Sequence, residues 1–218
     1  KVKKVQKDFE ATHVRPQRLM KTLFTDEAYV KANVDEARLM RRLFDLACNM
    51  QSHDTDMQLY SLFTDEECYD LWSCNNLYWY LTHACSPVTD GLMPYREADL
   101  LRNILDRADA ALKEGKNQAT LRFGHESCLL PLVALLELNH YGESYPDVEK
   151  LSEQWRAYDI FPMASNVQFV FFHKKGSNDV LVKVLLNEKE TKLPVKTDVA
   201  PYYHWKDVES YYREKLDK

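Results

Sequence analysis

The amino-acid sequence predicts an α/β protein in which a mostly helical region, residues 1–118, precedes a smaller α/β region, residues 119–218. Apolar residues recur at helical spacing throughout the first region. The second region contains two short apolar runs, at residues 166–175 and 179–188, joined by the turn-forming stretch "KGSND". Paired runs of this kind are typical of a β-hairpin. At 218 residues the chain can bury a core of its own as one or two domains.

Start and stop signals mark the helices of the first region. The stretch "NVDEARLMRRLFDLACNM" predicts a helix capped by Asn33, with Glu36 three residues later. The stretch "LFTDEECYDLW" predicts a second helix by the same logic, with Thr64 as the cap and Glu67 as its partner. A third helix is predicted in "MPYREADLLRNILDRADAALKEG", ending at Gly115.

The second region opens with a predicted strand, a tight turn and a helix. The strand is "ATLRF", the turn holds Gly124, and the helix runs over residues 127–139. This helix is apolar on nearly every side, so we expect it to be buried against a sheet. After the hairpin, "TKLPV" predicts a short strand and the chain closes in an amphipathic helix capped by His204 or a neighbour. These strands are too few for a complete sheet, so we expect partner strands from sequence outside these residues.

Composition excludes several classes of function. The net charge of −5 and the pI of about 5.8 argue against a broad nucleic-acid interface. No apolar run reaches the roughly 20 residues that cross a bilayer. The five cysteines form no CxxC pair, so no cysteine metal site is predicted. Cys68, Cys74 and Cys85 are close enough in sequence for one disulfide, and buried free thiols are the alternative.

His125 and Glu126 are the candidate site, because they follow the glycine that separates strand from helix. In open α/β folds this edge of the sheet binds ligands. The unpaired N–H groups and the dipole of a helix start favour an anion such as phosphate. An imidazolium at His125 would add a charged donor, and the carboxyl of Glu126 could protonate a leaving oxygen. From the residues alone, a helix cap beside a surface charge explains such a pair more often.

The stretch "LRFGHESCLLPLVALL" resembles the C-terminal active-site motif of the histidine acid phosphatases, and most of all that of the multiple inositol polyphosphate phosphatases. The segments "FPMASNVQFVFF" and "DVLVKVLLNEKETKLPV" resemble the C-terminal strands of the same enzymes. The resemblance is specific from Thr120 onward and weaker in the helical first half. It implies an inserted α-domain followed by the C-terminal part of an α/β sandwich domain. The residues shared with the motif are Gly124, His125, Glu126, Leu129, Leu130 and Pro131.

The resemblance implies hydrolysis of phosphomonoesters through a phosphohistidine intermediate, on inositol polyphosphates such as phytate. His125 would contact the phosphate, and Glu126 would protonate the leaving group and later activate water. The expected partner is a small anionic phosphorylated substrate, with no metal, organic cofactor or nucleic acid. The inositol polyphosphate type has its acid two places after the histidine, where this chain has Ser127.

The nucleophile of this family lies in an Arg-His-Gly motif that these 218 residues do not contain. We therefore expect an N-terminal half of the same protein to supply the motif and complete the sheet. This chain alone is expected to be inactive, and the protein to be secreted or periplasmic. Two alternatives stay open: a non-catalytic helical module that binds a phosphorylated ligand or a partner, and a sugar-phosphate acid phosphatase of the same family.

Other histidines fit plainer explanations. His53 in "SHDTD" shares the letters of a phytase motif, yet it follows a helix and is predicted to lie in a loop. His83 stands near Cys85 in the aromatic stretch "LWSCNNLYWYLTHAC", which is predicted to fill the helical core. The basic run "KVKKVQK" is predicted to be a solvated helix face.

Overall fold

The computed structural model describes residues 1–116 and 118–217. Their contacts form two compact units, one made of Lys1–Tyr78 and the other of the residues from Trp79 onward. The predicted domain boundary at residues 118 and 119 stays a prediction. None of the described helices combines the length and apolar character needed to cross a bilayer.

The first unit is helical, as predicted. Its buried apolar side chains come from every long helix and include Phe9, Leu19, Met40 and Leu77. The α-helices are α1 (Val2–His13), α2 (Gln17–Leu23), α3 (Glu27–Asn33), α4 (Glu36–Asn49) and the first part of α5 (Asp65–His83), with 3₁₀ turns at Met50–Ser52 and Tyr60–Leu62.

One of the two predicted helix caps in this unit is confirmed. The N–H of Thr64 donates to Glu67 Oε2 at 2.9 Å, and the N–H of Glu67 donates to Thr64 Oγ1 at 3.2 Å. This reciprocal pair is a capping box. The prediction for α4 is wrong, because its cap is Asp35, which accepts from the N–H of Arg38 at 3.1 Å. Asn33 still belongs to the last turn of α3.

The second unit combines helices with a small antiparallel sheet. Its helices after the end of α5 are α6 (Ala98–Glu114), α7 (Glu126–Leu135), α8 (Leu151–Gln154), α9 (Ala157–Ile160) and α10 (Trp205–Leu216), with 3₁₀ turns at Pro87–Thr89, Met93–Glu97 and Val148–Lys150. The strands are β1 (Val167–His173), β2 (Val180–Leu186), β3 (Lys189–Glu190) and β4 (Tyr203–His204). As predicted, the third long helix stops at Gly115, which is left-handed with φ of 64°.

The predicted hairpin is confirmed. Strands β1 and β2 pair antiparallel from Val167 opposite Leu186 to His173 opposite Val180. The turn between them holds Gly176 with φ of 81°, a conformation that suits glycine. The other edge of β2 pairs with β3 and with β4. The short strand predicted at residues 191–195 is wrong. The strand in this part of the chain is β3, which ends at Glu190, and residues 191–195 form no strand.

Helix α7 is buried along most of its length, as its composition predicts. Residues 130–135 are all buried, with Leu130 and Val133 fully inaccessible. The helix ends at Leu135 rather than at residue 139, and the chain then turns sharply. Gly142 approaches this turn so closely that a Cβ would lie 2.6 Å from Cγ of Glu137, so only glycine fits there without displacement.

The strand predicted for "ATLRF" is not formed, because residues 118–125 belong to no helix or strand. Leu121 is 75% exposed and Phe123 is 94% exposed. A Cβ added to Gly124 would meet no heavy atom within 4 Å. A strand needs a neighbour for its backbone N–H and C=O groups, and no described strand pairs with this segment.

Candidate active site

His125 and Glu126 lie at the exposed start of the buried helix α7. His125 is the N-cap residue and has extended backbone angles, φ −110° and ψ 163°. Its carbonyl accepts from the N–H groups of Cys128 at 3.0 Å and Leu129 at 3.1 Å. His125 is therefore the cap residue by position, beside the exposed charge of Glu126, but its imidazole makes no capping hydrogen bond.

Both side chains are free to meet a ligand. His125 and Glu126 are exposed, and within the described chain neither side chain has a hydrogen-bond or ion-pair partner. The first N–H groups of α7 and its positive dipole end lie at the same place. Since residues 130–135 of α7 are buried, the pair is attached to a helix that is anchored in the core.

His83, at the end of α5, is electrostatically close to Glu126. The imidazole is 7% exposed, its Nδ1 lies 2.7 Å from Thr82 Oγ1, and its ring centroid lies 4.8 Å from that of Trp79. Burial lowers the pKa of His83, and the positive charge of Arg96 lowers it further, whereas the negative charge of Glu126 raises it. The structure thus brings His83 and Arg96 into the neighbourhood of Glu126. Sequence reasoning missed this because the three lie on separate elements.

The remaining sequence candidates each have surroundings of their own. His53 is exposed in the first unit, where its Nε2 lies 3.2 Å from Nδ2 of Asn49. Cys85 is not an activated nucleophile, since burial raises the pKa of its thiol. All five cysteines are free thiols, and of the three that are close in sequence only Cys74 is buried, whereas Cys68 and Cys85 are partly exposed. Across residues 1–116 and 118–217, no group of three or more histidine, cysteine or acidic side chains could hold a metal ion.

The aromatic stretch of α5 contributes to the core of the second unit through Tyr80. Its hydroxyl accepts from the N–H of Tyr145 at 2.7 Å, and its ring packs edge-on against Trp155 at 5.2 Å. Trp79 is half-buried between the rings of His83 and Phe161. The core prediction is therefore right for Tyr80, and Trp79 lines the surroundings of His83.

The protein-family model of the histidine phosphatase superfamily (branch 2) matches residues 1–187 of this chain. The chain belongs to the histidine phosphatase superfamily. Among curated proteins, Multiple inositol polyphosphate phosphatase 1 of Homo sapiens is 28% identical over 130 residues. That match covers 54% of this chain and 26% of the human protein.

Solved structures of a Bifidobacterium longum multiple inositol polyphosphate phosphatase share the fold of this histidine phosphatase chain. The complex with phosphate matches with a TM-score of 0.71 and 21% identity, over 83% of this chain and 40% of the bacterial one. The complex with inositol hexasulfate matches with a TM-score of 0.67 and 22% identity, over 82% and 38%. The chain therefore spans less than half the length of the relatives it matches.

These findings confirm the family resemblance and the fold class: a mixed helical chain with a small antiparallel sheet of the histidine phosphatase type. The roles assigned to His125 and Glu126 stay predictions. The N-terminal half and the secreted or periplasmic location also stay predictions.

Proposed function

We propose that this chain is the C-terminal part of a phosphomonoester hydrolase that acts on inositol polyphosphates. The observation that carries the proposal is the start of α7, where His125 and Glu126 stand exposed and unpartnered at the positive end of a buried helix. Membership of the histidine phosphatase superfamily and the names of the similar proteins support it.

In the proposed reaction His125 binds the phosphate and Glu126 transfers the protons. The imidazolium of His125 donates a hydrogen bond to a phosphate oxygen. A histidine outside these residues attacks phosphorus, so that a P–N bond forms while the bond between phosphorus and the ester oxygen of the inositol breaks. Glu126 gives its proton to the departing oxygen, then takes one from the water that attacks the phosphohistidine. Phosphate leaves and the nucleophile is restored.

An N-terminal half of the same protein would complete both the site and the sheet. The exposed segment with Leu121 and Phe123 has the β-prone composition of a strand and no described neighbour. The edge of β1 that faces away from β2 has no partner in the described chain either. Strands from the proposed N-terminal half would satisfy the backbone groups of both segments. The isolated 218-residue chain is then expected to release no phosphate.

The decisive test is phosphate release from inositol hexakisphosphate by the full-length protein and its Glu126→Gln variant. Loss of the proton donor should lower kcat about 10²–10⁴-fold, with a smaller loss on p-nitrophenyl phosphate, whose leaving group needs no proton. Ser127→Ala is the matched control, because Ser127 occupies the place of the acid in the inositol polyphosphate type. Full activity of Glu126→Gln on inositol hexakisphosphate would exclude the role given to Glu126.

A non-catalytic binding protein is the second candidate, because these 218 residues hold no Arg-His-Gly motif. Incubation of the full-length protein with labelled substrate followed by a rapid alkaline quench separates the two. A trapped phosphohistidine identifies the enzyme, whereas tight phosphate binding without turnover identifies the binding protein. Sugar phosphates in the same assay test the related acid phosphatase activity, and cell fractionation tests the secreted or periplasmic location.

A further inference from the structure

Arg96 is an exposed arginine without an anionic partner. It lies in the 3₁₀ turn Met93–Glu97, and no described residue accepts a hydrogen bond from its guanidinium or forms an ion pair with it. The adjacent Glu97 is partly buried, and burial raises the pKa of its carboxyl although the charge of Arg96 opposes this. Many arginines of the described chain do pair with carboxylates: Arg15, Arg18, Arg41, Arg42, Arg102, Arg156 and Arg213.

The position of Arg96 relates it to the candidate active site. Its 3₁₀ turn packs directly against α7, the helix that begins at Glu126. Arg96 and Glu126 are the two charged side chains whose fields act on the buried imidazole of His83. They therefore lie within electrostatic range of one side chain, yet they do not pair with each other. An unpaired guanidinium on a turn that packs against α7 adds positive charge near the helix that begins after His125, and this favours an anion there.

We propose that Arg96 binds a second phosphate group of a polyphosphorylated substrate, next to the reacting phosphate held at His125. A guanidinium presents its donors in a planar fork that matches phosphate oxygens, and here no described carboxylate occupies those donors with a hydrogen bond. A phosphomonoester with one phosphate would gain nothing from Arg96, so the residue would favour polyphosphates. This inference rests on the proposed function, since it places the reacting phosphate at the start of α7.

The test compares Arg96→Ala with the wild-type full-length protein on two substrates. The kcat/KM for inositol hexakisphosphate should fall about 10- to 100-fold, mainly through a higher KM, because one or two charge-assisted hydrogen bonds are lost. The value for p-nitrophenyl phosphate should stay within about twofold of wild type. Arg107→Ala is the matched control, because Arg107 on α6 is also exposed and has no hydrogen-bond or ion-pair partner in the described chain.

Calorimetric binding of inositol hexasulfate and of inorganic phosphate gives a readout that needs no turnover. Arg96→Ala should weaken hexasulfate binding about 10- to 100-fold and leave phosphate binding unchanged. Equal losses for both substrates, or unchanged hexasulfate binding, would overturn the inference while the phosphatase proposal stands. If wild type turns over neither substrate but Arg96→Ala still binds hexasulfate more weakly, the phosphatase proposal fails and the binding role of Arg96 is supported.

Discussion

Leu121 and Leu130 flank the candidate site, and together they distinguish the stability of this chain from the stability that the proposed N-terminal half would add. Leu130 in α7 is fully buried, whereas Leu121 in the unpaired segment is 75% exposed. Leu130→Ala should therefore cost about 2–5 kcal/mol of unfolding free energy, the usual cost of such a cavity. Burying a leucine completely contributes about 1.5–3 kcal/mol, so Leu121→Ala, with only a quarter of the residue buried, should cost below about 1 kcal/mol.

The comparison becomes decisive when both variants are also made in the full-length protein. If strands from the N-terminal half cover residues 118–123, Leu121→Ala should cost about 2–5 kcal/mol there, like Leu130→Ala. Urea unfolding followed by tryptophan fluorescence measures the change in each background. An equally small cost of Leu121→Ala in both backgrounds would refute sheet completion at this segment. A small cost of Leu130→Ala would refute the buried placement of α7.

Two further predictions concern the ends of helices. Thr64→Ala removes the oxygen that accepts from the N–H of Glu67. It should lower the unfolding free energy by about 1 kcal/mol in a urea titration, whereas Thr64→Ser should not. The ring nitrogens of His204 each lie 3.0 Å from a carboxylate oxygen, one on Asp179 and one on Asp198. Asp179 and then Asp198 raise the pKa of His204 above 6.5, so its stabilisation is complete below pH 6.5 and lost as pH rises through the higher value.

Each of these predictions has a direct control. An NMR titration of the His204 ring should give a pKa above 6.5, which Asp179→Asn lowers. A pKa at or below 6.5 in the wild-type chain would contradict the paired geometry. The thermal midpoint of the wild-type chain should decrease from pH 6 to pH 8 more steeply than that of His204→Gln. For Thr64, equal stability of the alanine and serine variants would show that the capping box contributes nothing.

Local chemistry explains which elements were predictable. The capping box at Thr64, the stop at Gly115 and the hairpin around Gly176 each depend on residues within a few positions of one another. One wrong prediction, the cap of α4, is also local in origin. The sequence predicts Asn33 as the cap, whereas the structure has Asp35. Only two residues separate the end of α3 from the start of α4, so both residues were plausible caps in the sequence.

Sequence patterns were enough to predict the family, the fold class and the candidate pair His125 and Glu126. Helical spacing and paired apolar runs predict the fold class, and the motif from Gly124 to Pro131 carries the family and the pair. Only the folded structure shows that this pair is exposed and unpartnered, and that Arg96 and His83 lie near Glu126. The structure also shows that "ATLRF" is not a strand in this chain. The physical reason is the same in each case: burial, charge proximity and strand pairing depend on residues distant in sequence, and only folding brings them together.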